Sequence, residues 1–107
     1  MGNPSVAVDL DADGNYAVKL SAPDWELNVT VPPAEVAELR RVQSAPWVGG
    51  SVRVGVSAGS AAFWSVGEDG RVSTLIGSDD QTWDFGVSFP MAVFEEVLRG
   101  IEALSPG

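Results

Sequence analysis

Strict alternation of apolar and polar residues is the feature that most constrains this chain. Trp25, Leu27, Val29 and Val31 alternate with Glu26, Asn28 and Thr30, the period of an extended strand with one buried face. One parity also joins Val6, Val8 and Leu10, and another such set is Tyr16, Val18 and Leu20. Further on, SVRVGVS alternates cleanly, AAFWSV and RVSTLIG read as short strands, and TWDFGVSF puts Trp83, Phe85, Val87 and Phe89 on one parity. The 12 glycines and 7 prolines supply turns that keep such strands short.

Two segments leave this period. Pro32-Pro33 stops the third strand, and Val36, Leu39 and Val42 then recur at helical spacing among Glu35, Glu38, Arg40 and Arg41. A short amphipathic helix is expected over roughly residues 33 to 43. Pro90 opens a second helix, with Val93, Phe94, Val97, Leu98, Ile101 and Leu104 on a broad apolar stripe. The order β-β-β-α-β-β-β-β-α predicts an α+β fold, a mainly antiparallel sheet of six or seven strands with two amphipathic helices. At 107 residues, 45% hydrophobic and 20% charged, the chain suits a single globular domain with one core.

Much chemistry is excluded by what is missing. There is no cysteine and no histidine, so thiolate metal sites, disulfides and Ser-His-Asp or Cys-His nucleophiles cannot be built. Lys19 and Tyr16 are alone of their kind, and GVSAGSAAF lacks the spacing of a phosphate-binding loop. No cofactor is expected. No apolar run approaches the length of a membrane span and no signal segment opens the chain, so a soluble, cytoplasmic protein is predicted. Fifteen acidic residues face six basic ones for a net charge of −9, and the bases Lys19, Arg40, Arg41, Arg53, Arg71 and Arg99 are scattered. That balance argues against nucleic acid and is compatible with a basic protein partner, while solubility is the commoner reason for such an excess of acids.

The aspartates invite a metal reading. In VDLDADGN, Asp9, Asp11, Asp13 and Gly14 have the spacing that opens a calcium-binding EF-hand loop. That loop needs flanking helices and a glutamate at its twelfth position, which here is Leu20. A hairpin explains the residues better. A three-residue loop at Asp13-Gly14-Asn15 would pair Val6, Val8, Leu10 and Ala12 with Ala22, Leu20, Val18 and Tyr16. Asp9 would then face Lys19, and Asn15 would take the left-handed conformation. In SDDQTWD, Asp79, Asp80 and Asp84 could hold a hard cation or act as an acid-base pair, but aspartate is also a common turn residue. An enzyme is not expected, and a cation-dependent one using these aspartates is the further alternative.

The second half carries the more useful anomaly. A two-residue turn at Asp69-Gly70 pairs Phe63 with Ile76 and Trp64 with Leu75. A tight turn at Asp79-Asp80 then sets Ile76 against Trp83, Thr74 against Phe85 and Val72 against Val87. One face collects Phe63, Val72, Ile76, Trp83, Phe85 and Val87; the other collects Val66, Trp64, Leu75 and Asp84. Slipping the second turn by one residue turns Phe63 and Ile76 outward instead. In either register one aromatic of Phe63-Trp64 leaves the main core beside an aliphatic neighbour. A helix over the second face, or a curled sheet, would bury it. Left open, the face would be a protein-binding surface with Trp64 and Leu75 at its centre and Asp79, Asp80 and Asp84 at its rim. Trp47, in the loop after Pro46, is either a second anchor or a lid over the sheet.

GVSAGSAAFWS, followed by VSTLIGSDDQTWDFGVSFP and an amphipathic helix, resembles small acidic bacterial proteins of uncharacterised function. In size, charge and texture it also resembles the immunity proteins of polymorphic toxin systems. That resemblance implies a non-enzymatic protein that occludes a basic partner. The alternative is a self-associating accessory module in which the same face forms a homodimer.

Overall fold

A computed structural model describes residues 3–44, 51–78 and 83–104. It contains β1 (Ser5–Leu10), β2 (Tyr16–Ala22), β3 (Trp25–Val31), a 3-10 turn (Pro33–Glu35) running into α1 (Val36–Ser44), β4 (Val52–Ser57), β5 (Ser60–Val66), β6 (Val72–Gly77), β7 (Trp83–Phe89) and α2 (Met91–Leu104). The seven strands form one sheet whose spatial order is the chain order, with every neighbouring pair antiparallel. The expected α+β architecture is the one observed. Among the described residues no helix is long and apolar enough to cross a membrane.

Both helices contribute to a single core. Tyr16, Val18 and Leu20 of β2, Leu27, Val29 and Val31 of β3, Val54, Trp64, Val72 and Phe89 are buried with Leu39 and Val42 of α1 and Val93, Phe94, Val97 and Ile101 of α2. The two prolines stop β3 where expected, and the Glu35 N–H donates to the Pro32 carbonyl at 2.9 Å to start the 3-10 turn. At α2 the Val93 N–H does the same with the Pro90 carbonyl at 3.0 Å.

The first hairpin is a turn, with different bounds from those expected. Val6 pairs with Leu20, Val8 with Val18 and Leu10 with Tyr16, two residues from the predicted register, so the core parity survives. Asp9 lies opposite Ala17 and Lys19 opposite Ala7, and the expected Asp9–Lys19 pair does not form. The loop is Ala12-Asp13-Gly14, closed by the Asp11 N–H to the Asn15 carbonyl at 2.9 Å. Gly14, not Asn15, takes positive φ, at 83°. The Asp11 carboxylate accepts the N–H groups of Asp13 and Asn15, each at 2.9 Å. That calcium-like spacing is a carboxylate satisfying its own turn.

The β5–β6 hairpin repeats this loop at Glu68-Asp69-Gly70. Gly67 N–H bonds the Arg71 carbonyl at 2.9 Å, the Asp69 carboxylate accepts the Arg71 N–H at 3.0 Å, and Gly70 sits at φ 80°. Only the glycine takes positive φ, as in a three-residue loop; a two-residue turn would require it of Asp69 as well. The extra loop residue shifts the pairing by one from the prediction: Phe63 lies opposite Leu75, Trp64 opposite Thr74 and Ala62 opposite Ile76. Across β6–β7, Val72 pairs with Phe89, Thr74 with Val87 and Ile76 with Phe85, two residues from the expected register.

Candidate protein-binding face

Pleating gives the sheet two faces, and both helices pack on the same one. The opposite face carries Asp9, Lys19, Glu26, Asn28 and Thr30 on β1–β3, then Arg53, Val56, Ala61, Phe63 and Leu75 on β4–β6. No side chain on it is buried, and among the described residues nothing covers it.

Its first half is polar. Lys19 Nζ lies 3.5 Å from a Glu26 carboxylate oxygen, and Asn28 Nδ2 donates to the other oxygen at 2.9 Å. The Asn28 hydrogen bond, with the Lys19 charge behind it, holds the Glu26 carboxyl below its ordinary range.

The second half is apolar. Registers across β4, β5, β6 and β7 place Arg53, Phe63, Leu75 and Gly86 in one row. The next row holds Thr30, Val56, Ala61 and Gly77. Phe63, Leu75 and Ala61 are half-buried, while Val56 is 41% exposed. Ser65, Ser73 and Ser88 continue the face beyond these rows.

Val56 reaches this face through a bulge. Arg53 pairs with Phe63 and Val56 with Ala61, so Val54 and Gly55 together oppose Ala62. The extra residue inverts the alternation: Val54 points into the core and Val56, two residues on, points out. Gly55 sits at φ 76°, and a Cβ there would lie 2.7 Å from the Thr30 carbonyl oxygen. Only glycine fits this approach.

The predicted binding residues separate. Trp64 is a core residue: it is fully buried, its Nε1–H donates to the Val54 carbonyl at 3.0 Å, and its ring lies 5.8 Å from that of Phe94. It cannot anchor a partner at the surface, because the three-residue β5–β6 loop turns its parity inward. Phe63 takes its place beside Leu75, so one aromatic of the pair does leave the core. Leu75 is on the open face, and Asp84 is exposed at a bulge where Ile76 pairs with Phe85 and Gly77 with Trp83. Trp47, Asp79 and Asp80 lie outside the described residues. Among those described, no group of three or more Asp or Glu could hold a metal ion.

Comparison with protein-family models, with curated proteins and with solved structures gives no match to this chain. Function therefore rests on the geometry of this face. Sequence reasoning left Phe63 and Trp64 as alternatives for the outward aromatic and named Trp64 as the anchor, and one loop residue decides for Phe63. It missed Val56, though a glycine inside a strand pattern is the usual sign of a bulge.

Proposed function

We propose that this chain is a non-enzymatic binding module that docks a basic protein on the uncovered face of its sheet, in the manner of an immunity or inhibitor protein that occludes its target. The observation that carries this reading is the contiguous apolar surface of Phe63, Leu75, Val56 and Ala61 on a face with no helix over it among the described residues. An apolar centre with a polar surround is the composition of a docking patch. The net charge of −9 supports a partner of opposite sign. Long-range attraction would speed encounter, and the apolar centre would hold the complex.

Affinity capture from the source organism, with the parent protein and with Phe63→Ser and Leu75→Ser, tests the reading. Circular dichroism confirms that each variant is folded. The parent is expected to retain a basic protein at low salt, less of it at high salt, and both variants are expected to lose it. If both folded variants hold the same protein as tightly as the parent, the face is not the docking surface. Light scattering on the same samples covers the other occupant: a homodimer that Leu75→Ser dissociates would reassign the face to self-association.

A further inference from the structure

We infer that the open face contains a seat for one basic side chain of the partner, an arginine or a lysine, in the dimple beside Val56; this rests on the reading of that face as the docking surface. The dimple has a volume of about 260 Å³, below the roughly 300–1,000 Å³ of small-molecule sites. It is the size for a single side chain entering from a larger contact.

Its walls match a long cation. Pro32 and Val56 offer apolar surface for an aliphatic stem, and Asn15 and Thr30 add polar atoms. Glu35 supplies the charge. It ends the 3-10 turn and is half-buried, and its Oε1 accepts the Gly55 N–H at 2.8 Å. That bond fixes the carboxylate and leaves Oε2 to accept from an incoming donor. Among the described residues no cation lies within ion-pairing distance of Glu35.

Arg53 also lines the dimple and is the one group there that opposes a cation. It is exposed and unpaired with any acid among the described residues, so its side chain is able to turn to solvent. The field of a chain with net charge −9 works in the same direction as Glu35.

The test uses two peptides, acetyl-Gly-Arg-Gly-amide and its counterpart with citrulline, the neutral isostere of arginine. Amide NMR at Gly55, Thr30 and Val56 reads binding. The arginine peptide is expected to give a saturable shift at Gly55 and to bind about tenfold tighter than the citrulline peptide. Glu35→Gln keeps an acceptor for the Gly55 N–H and should make the two peptides equal, while Arg53→Gln should strengthen the arginine response. Equal binding of both peptides by the parent, an unchanged response in Glu35→Gln, or no saturable shift at Gly55 in the folded protein overturns the seat. The two readings fail separately. If the arginine peptide is seated but Phe63→Ser and Leu75→Ser still hold the partner, the docking face falls and the seat stands. If the partner is lost but the peptides are not distinguished, the seat alone falls.

Discussion

Thr74 sits in the core row between Trp64 and Val87, fully buried, and its Oγ1 has no hydrogen-bond partner among the described residues. Burying an unsatisfied hydroxyl costs about 1–3 kcal/mol in protein contexts. Valine has nearly the same shape without that group. Thr74→Val is expected to raise stability by about 1 kcal/mol, read as a higher urea midpoint with an unchanged slope. A lower midpoint would mean that the hydroxyl is engaged in the folded state. Two other residues show how far local signals reach. Asp13-Gly14 and Asp69-Gly70 were legible as turns, because glycine supplies positive φ and aspartate binds backbone N–H groups. The first loop was read with the right length but one residue too far along, and the β5–β6 loop was read one residue too short. Both Asp-Gly pairs close three-residue loops in which only the glycine has positive φ, and that one residue decides whether Trp64 or Phe63 is buried.

α2 was legible as an element: Val93, Phe94, Val97, Leu98 and Ile101 are buried as their helical spacing requires. What it packs against was not. Gly100 reads in sequence as a weak point in the helix, since glycine there is less favourable than alanine by about 1 kcal/mol. In the structure a Cβ on Gly100 would lie 2.7 Å from Val8 Cγ2 and 3.0 Å from Val8 Cβ. The glycine lets α2 approach β1, and the second of those contacts lies too near the backbone for a rotamer change to relieve. Gly100→Ala is therefore expected to lower stability by about 1–2 kcal/mol despite the gain in propensity. The double variant Val8→Ala/Gly100→Ala should show favourable coupling relative to the two single changes. Thermal melts of all four proteins check this, and a stabilised Gly100→Ala would show that propensity outweighs the contact.

A seven-stranded open sheet leaves two edges, β1 and β7, and unpaired edges invite association. The Gly67–Arg71 bond sets the backbone of odd-numbered β6 residues toward β5, so on β7 the groups of Gly86 and Ser88 face the free edge. Arg71 folds across the strand, Nε donating to Ser88 Oγ and Nη2 to the Ser88 carbonyl, each at 3.2 Å. The bulge at Asp84 disrupts the other end. A bulge and a cation thus blunt the edge from both sides. Arg71→Ala is expected to increase self-association over the parent in sedimentation velocity across a concentration series. Unchanged association would mean that the edge is guarded by other groups.

Alternation and helical stripes are properties of short windows, and from them followed the order of the elements, the antiparallel hairpins and the residues that share a face within each strand that carries no bulge. Composition likewise determined the charge and the chemistry the chain cannot perform. In β1–β3 the apolar parity is the one turned to the core, but which aromatic of β5 turns inward, where β4 reverses its alternation, and which face of the sheet remains open were decided only in the tertiary structure. Where both parities of a strand carry apolar residues, a period of two defines two faces without saying which is buried. A one-residue change in the β5–β6 loop or the bulge at Gly55 exchanges them at little local cost, as Phe63 and Val56 show. The choice is made by burial of Trp64 against Phe94 and by both helices packing on one side of the sheet, long-range contacts whose energy no short stretch of sequence contains.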